Sequence, residues 1–160
     1  MKRSIILIII LLALVPGSYA AENFKNSSKA ESEKQKAPPP DNVSYVKPTD
    51  DVPKTIQNLL GKWEGDWGGQ LNSYMIFEEV TADSARMIYG FGPQPAIGDT
   101  KGGYSRYTVN LVYSDNRSSI DFEFDRIKGS LSADGKTINA VYNGRSLISM
   151  KKTEDPFTDN

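Results

Sequence analysis

The chain has 160 residues, a net charge of −1, and neither cysteine nor histidine. These absences exclude disulfide-stapled small folds, serine–histidine and cysteine–histidine catalysis, and the usual zinc, copper and haem ligands. The nearly balanced charge is unlike the basic surface of a nucleic-acid-binding protein. Composition therefore predicts a protein without metal or cofactor that is held together by its own apolar core.

Residues 1–20 have the pattern of a secretory signal peptide. Lys2 and Arg3 precede an apolar run over 5–15, and small residues lead to a cleavage point after Ala20. The apolar run is shorter than the about 20 residues that a membrane-spanning helix needs. We expect export to the periplasm or exterior of a bacterial cell, with no stable membrane span after cleavage.

Residues 21–51 are predicted to form a disordered linker. They are rich in Lys, Glu and Ser and contain Pro38-Pro39-Pro40. Their few apolar side chains cannot repay the entropy lost on ordering. Two roles stay open for the linker, a spacer and a proline-rich docking motif. Residues 153–160 are predicted to be a short disordered tail.

The folded domain is expected over 52–152 and opens with a helical turn. Pro53 suits the first turn of a helix that ends near Leu60. The following segment, Gly-Lys-Trp-Glu-Gly-Asp-Trp-Gly, alternates large or small apolar positions with charged ones. On a strand, Trp63 and Trp67 would share one face and the charges would share the other. This pattern predicts a strand with both tryptophans inside.

The rest of the domain has the pattern of short strands joined by turns. The predicted strands cover 62–67, 71–80, 84–91, 103–113, 118–125, 126–132, 136–143 and 146–152. Asp134-Gly135 is the strongest hairpin signal among the turns. Hairpins need no long crossover and closure removes exposed edges, so we predict an all-β, antiparallel, up-and-down barrel of about eight strands. A β-sandwich is the alternative.

Leu60-Gly61-Lys62-Trp63 resembles the Gly-x-Trp opening of the calycin superfamily, which includes lipocalins, fatty-acid-binding proteins and avidins. With Tyr89-Gly90-Phe91-Gly92, Gly103-Tyr104 and Asp134-Gly135, the domain is similar to small bacterial lipocalin-like domains. The resemblance covers 52–152. It implies a structural role for Gly61 and for Trp63, which would close one barrel end. It also implies a late basic residue against that Trp, for which Arg145 and Lys151 are the candidates.

The segment from Gly90 to Gly103 is the one long irregular connection in the predicted domain. Long loops in a tight domain are often functional. We predict that it covers a barrel mouth, where aromatic side chains offer apolar bodies and hydroxyl groups to a ligand. Arg106 would pair with a ligand carboxylate or phosphate. The aromatic candidates are Trp67, Tyr89, Phe91, Tyr104 and Tyr107.

Asp121, Glu123 and Asp125 form a stripe of carboxylates that invites comparison with a calcium site or a glycosidase pair. The alternating residues between and before them are isoleucine and phenylalanine, which must face the core. The carboxylates are therefore predicted to be an outer, solvated surface that protects the sheet from aggregation.

Two functions remain open. The first is a barrel that binds a small apolar or amphipathic ligand. The second is an interaction module, an inhibitor or envelope adaptor, whose barrel is filled by side chains. An enzyme is not expected, because no nucleophile has a neighbouring base. The expected partner is a small hydrophobic ligand or an envelope protein, and no catalytic residue, metal or nucleic acid is predicted.

Overall fold

The computed structural model describes residues 36–69, 71–114 and 119–157. The predicted signal peptide, the linker up to residue 35 and the end of the tail lie outside the described residues. Helix α1 (Lys54–Gln57) precedes nine strands. The strands are β1 (Gly61–Trp67), β2 (Leu71–Val80), β3 (Ser84–Phe91), β4 (Gly103–Asn110), β5 (Val112–Tyr113), β6 (Ser119–Phe124), β7 (Ile127–Ser132), β8 (Thr137–Tyr142) and β9 (Ser146–Glu154). In the described part of the chain, no helix has the length and apolar character needed to cross a membrane.

The strands form one antiparallel sheet in the order β4-β3-β2-β1-β9-β8-β7-β6-β5. Strand β1 pairs with both β2 and β9, so the first and last strands meet as they do in an up-and-down barrel. The predicted all-β up-and-down barrel is confirmed. The number of strands is nine, because the predicted strand over 103–113 divides at Leu111, whose N–H bonds to the Asp83 carbonyl at 2.7 Å.

The barrel is nearly closed. At the division, the chain leaves β3 and pairs with β6 through Val112 and Tyr113. Within the described residues, β4 and β6 share no ladder pairs. Side chains fill this seam instead, with the rings of Tyr107 and Phe124 centred 4.8 Å apart. The seam is therefore sealed by aromatic packing where hydrogen bonds are missing.

Inward-facing side chains form one continuous core. Trp63 and Phe77 are fully buried, and the T-shaped contact between Phe77 and Phe122 at 5.4 Å links the two halves of the barrel. The other large side chains with almost no exposure are Ile56, Leu59, Met75, Met87, Leu131, Ile138 and Met150. The interior is thus occupied by protein side chains, as is common in small barrels.

Trp63 is fully buried at the barrel end where the turn after α1 leads into β1. Its indole Nε1–H donates to the Leu59 carbonyl at 2.7 Å, which ties β1 to the turn after α1. The ammonium of Lys152 lies 5.6 Å from the Trp63 ring centroid. The basic side chain over the Trp63 ring is therefore that of Lys152. Arg145 lies exposed in the turn between β8 and β9, and Lys151 is paired with Glu64 on the outer face.

A strap, residues 36–51, lies on the outer face of β2 and β3. The Tyr74 hydroxyl donates to the Pro38 carbonyl at 2.8 Å, and the Val46 N–H donates to the Glu78 carbonyl at 2.8 Å. This arrangement differs from the predicted linker over 21–51. The reason is that β2 and β3 carry apolar side chains on their outer face too, and the strap buries them. These outer side chains are Tyr74, Ile76 and Ile88.

Candidate functional site

Four of the predicted ligand-binding residues meet at the barrel end opposite Trp63. The indole Nε1–H of Trp67 donates to the Tyr89 hydroxyl at 3.0 Å, and that hydroxyl is 3.3 Å from Ser73 Oγ. Trp67, Tyr89, Phe91 and Tyr107 all pack on the main core cluster. Their positions follow from strand alternation, since each faces inward from β1, β3 or β4.

These rings pack on one another. The Tyr89 ring is centred 5.3 Å from Phe124 and 6.2 Å from Phe91. Burial raises the pKa of Tyr89, while its hydrogen bonds with Ser73 and Trp67 act in the opposite direction. The aromatic cluster therefore seals this barrel end with mutual contacts, and a ligand would have to displace rings to enter.

Tyr104 and Arg106 lie apart from this cluster. Both face outward from β4, because Tyr107 faces inward and neighbouring residues alternate. Their partners are in the strap. The Tyr104 hydroxyl donates to Asp41 Oδ2 at 3.1 Å, and the Arg106 guanidinium donates to the carbonyls of Asp41 at 2.7 Å and Asn42 at 3.0 Å. Tyr104 and Arg106 are predicted to lie with Tyr107 at the barrel mouth, but in the structure they bind the strap on the outer face.

The loop between β3 and β4 is a compact turn. A 3-10 helix over Pro95–Ile97 is closed by a bridge between Gln94 and Asp99. The Asp99 carboxylate accepts hydrogen bonds from the N–H groups of Lys101 and Gly102, both at 3.0 Å. These local bonds order the loop. They also occupy the Asp99 carboxylate and the two N–H groups, which are therefore not free to bind a ligand.

A pocket of about 710 Å³ lies between the strap and the outer face of β1 and β2. Tyr74 and Ile76 line it from the sheet, and Pro39, Pro40, Val43 and Tyr45 line it from the strap. Four charged residues also line the pocket, namely Lys36, Lys62, Glu64 and Glu154. We call this space the strap pocket.

Two tyrosines and two carboxylates set the electrostatics of the strap pocket. The ammonium of Lys62 is 2.6 Å from Glu64 Oε1 and 5.6 Å from the Tyr74 ring centroid. Burial raises the pKa of Tyr74 to about 12. Burial also raises the pKa of Tyr45, and a hydrogen bond to Glu154 and the charge of Glu78 add to the shift. The pocket therefore disfavours a negative charge near Tyr45.

Glu78 holds the strap on the sheet. It occupies a β-bulge in β2, so Phe77 and Val80 both face inward while Glu78 faces the strap. Its side chain is only 4 % exposed and accepts a hydrogen bond from the Ser44 N–H at 3.1 Å. Two guanidinium groups balance its charge at 3.6 and 3.8 Å, those of Arg86 and Arg106. The strap is thus held by a buried, neutralised carboxylate.

A second concavity, an open trough of about 1260 Å³, is lined by residues of β4 to β9 and by the end of β1. Asp121 lies in it and accepts hydrogen bonds from Ser119 and Ser130 at 3.0 and 2.6 Å. Glu123 pairs with Lys128 at 3.6 Å. Asp121 and Glu123 therefore face outward from β6, as the sequence predicts, while Asp125 is exposed in the turn after β6.

The sequence does not by itself predict the strap pocket, because residues 36–51 have the composition of a linker and the sheet residues that line it lie at ordinary strand positions. The signal that could have found it is the run Tyr74-Met75-Ile76-Phe77, which is apolar at every position. Such a run is typical of a strand covered on both faces. Something had to cover Tyr74 and Ile76, and the strap is the segment that does so.

In the described ranges, no group of three or more acidic, histidine or cysteine side chains is arranged to hold a metal ion. The nearly closed antiparallel barrel is consistent with a calycin-like fold. Comparison of the chain with protein-family models, with curated proteins and with solved structures finds no match.

Proposed function

We propose that this protein is a non-enzymatic, exported binding protein for a small apolar or amphipathic ligand, held in the strap pocket. The observation that carries this proposal is the pocket of about 710 Å³ between the strap and the sheet. Its volume falls within the range of about 300–1,000 Å³ that is common for small-molecule sites. Its lining of tyrosine, proline and aliphatic side chains with a few polar groups has the usual composition of such sites.

The packing inside the barrel supports an external site. Trp63 fills one end, and the cluster of Trp67, Tyr89 and Phe124 fills the other. Opening either end would expose aromatic surface and break buried hydrogen bonds, at a cost of several kcal/mol. The strap pocket needs no such rearrangement, because it exists between surfaces that are already formed.

Two strap valines provide a matched test. Val43 lines the strap pocket and is 38 % exposed, whereas Val46 is 40 % exposed and does not line it. We expect Val43→Trp to fill the pocket and weaken binding of the neutral probe N-phenyl-1-naphthylamine by about tenfold or more, equivalent to about 1.4 kcal/mol. Val46→Trp should bind like the parent protein. Probe fluorescence in a titration gives both affinities.

The same titration can contradict the proposal. Equal binding by the two tryptophan variants, or no binding by the parent protein, would exclude the strap pocket as the site. Trp67→Phe tests the barrel end independently. If that change abolished probe binding while Val43→Trp left it intact, the ligand would belong at the aromatic cluster.

The open trough favours a second candidate function, an interaction module. Leu147, which is 69 % exposed, and Val112, which is 61 % exposed, line the trough together with Asp66 and Asp121. These side chains suit a protein segment that presents aliphatic and basic residues. The filled barrel agrees with this role as well, since it leaves the outer surface for recognition.

Photo-cross-linking would test the second function. A benzoylphenylalanine at position 147 should give one discrete cross-linked product in the native extract, and Val112→Asp should remove that product, because both positions line the trough. The control is the same photoreactive residue at position 151, which is exposed on β9 outside the trough. A product that survives Val112→Asp would show that the trough is not the binding surface.

A further inference from the structure

We propose that the ligand of the strap pocket is an organic cation, an amine or quaternary ammonium group carried on an apolar body. This inference rests on the proposed function, because it specifies the ligand class of the same pocket.

The side chain of Lys62 shows where a cation is stabilised in the pocket. Its ammonium is 2.6 Å from Glu64 Oε1 and 5.6 Å from the centroid of the Tyr74 ring. An aromatic face and a carboxylate together are the features that recognise ammonium groups, since the ring quadrupole attracts positive charge. Lys62 is 30 % exposed and its stem is flexible, so its ammonium can turn toward water. A ligand cation would then occupy the same position.

A second acidic position lies beside Lys62. Glu154 is the ladder partner of Lys62 at the end of β9, and it hydrogen-bonds with Tyr45 of the strap. Tyr45 thereby offers a second aromatic ring next to a carboxylate. The raised pKa of Tyr45, caused by burial and by Glu154, agrees with a negative potential on this side of the pocket.

The charge of the remaining groups determines the sign of the preferred ligand. The pocket has Glu64 and Glu154 against Lys36 and Lys62. When Lys62 turns outward, two carboxylates face one ammonium, and the pocket has a net charge of −1. Glu78 does not line the pocket and is paired with Arg86 and Arg106, so it is not part of this count. A cation restores neutrality, whereas an anion adds to the unpaired charge.

Three probes with one ring and different charges test the inference by calorimetry. They are benzyltrimethylammonium, benzyl alcohol and phenylmethanesulfonate. We expect the cation to bind about tenfold more tightly than the alcohol, and the sulfonate to bind most weakly, as a cation–π contact plus one carboxylate would produce. Phosphatidylcholine vesicles extend the test, since competition with benzyltrimethylammonium would place the natural cation on a lipid headgroup, and its absence would indicate a soluble amine.

Two lysine variants give a signature that a purely structural role would not produce. Lys62→Met frees the Tyr74 ring and Glu64, so affinity for benzyltrimethylammonium should rise by about fivefold while affinity for benzyl alcohol stays constant. Lys151→Met is the matched control. It removes an equal charge from the ladder partner of Glu64 but does not lie in the pocket. Glu154→Gln should lower the preference for the cation over the alcohol.

The outcomes separate this inference from the function on which it rests. If N-phenyl-1-naphthylamine binds in the pocket but the cationic, neutral and anionic benzyl probes bind equally, the inference that the ligand is a cation is wrong. The proposed small-ligand function then stands. The preference for a positively charged ligand is also wrong if the sulfonate binds most tightly, or if Lys62→Met weakens binding of benzyltrimethylammonium. Absence of binding by every probe overturns both proposals.

Discussion

Trp63→Ala is expected to lower the free energy of unfolding by about 3–5 kcal/mol, as removal of a large buried aromatic side chain does. Trp63 is fully buried and packs with Ile56 and Leu59, which are fully buried as well. Removing the indole leaves a cavity at the barrel end and takes the hydrogen-bond donor from the Leu59 carbonyl. It also removes the ring under the Lys152 ammonium. Urea denaturation followed by far-ultraviolet circular dichroism measures the loss.

Trp63→Phe separates the contributions of the ring and the hydrogen bond. Phenylalanine keeps most of the buried apolar surface but has no donor for the Leu59 carbonyl, so the expected loss is about 1–3 kcal/mol. A smaller loss for Trp63→Ala than for Trp63→Phe would contradict the assignment of Trp63 as the packed end of the barrel. If the alanine variant does not fold, the phenylalanine variant still tests that assignment.

The strands and hairpins of the fold could be predicted from the sequence, because strand alternation and turn residues are local signals. The eight predicted strands match the observed ones within about two residues, because each hydrophobic face has period two and each hairpin has its own turn residues. The division at Leu111 could not be predicted. It arises when one continuous strand changes partner from β3 to β6, which depends on closure of the whole barrel.

The candidate site was predictable only in part. Alternation in β1 predicts Trp67 on the inner face. Tyr89 and Tyr107 face inward as well, and their association follows from the register of β3 and β4. Tyr104 and Arg106 were grouped with them by proximity in sequence, although the same alternation that turns Tyr107 inward turns both of them outward. Strand alternation alone therefore predicts that Tyr104 and Arg106 face away from Tyr107, and no structure is needed for that prediction.

The ordered strap could not be predicted from the composition of its own residues. Residues 36–51 contain few apolar side chains, and such segments do not fold alone. Here the sheet provides the missing surface, since Tyr74, Ile76 and Ile88 face outward, and the buried Glu78 carboxylate provides a hydrogen-bond acceptor. Order in the strap is therefore a property of its contact with the barrel. The strap pocket exists because that contact leaves a gap above β1 and β2.

Gly61→Ala is expected to destabilise the protein by about 3 kcal/mol or more, which combines backbone strain of about 1–3 kcal/mol with displacement of a neighbouring strand. Gly61 has a φ of 109°, and a Cβ placed on it would lie 2.1 Å from the backbone oxygen of Glu154. A backbone oxygen in a paired strand cannot turn aside as the end of a side chain can, so the end of β9 would have to move. Thermal and urea denaturation measure the loss.

Gly68→Ala is the matched control. Gly68 also has a positive φ, 62°, but a Cβ there would meet no atom within 4 Å. It should cost only the left-handed strain, about 1–2 kcal/mol, and equal losses at both positions would show that the crowding against β9 is unimportant. Because Glu154 lines the strap pocket, Gly61→Ala should also weaken binding of benzyltrimethylammonium by the folded variant, whereas Gly68→Ala should not. The Gly-x-Trp opening would then have two roles in this protein: Trp63 packs the core, and Gly61 makes room for the end of β9, which carries the Glu154 carboxylate to the pocket.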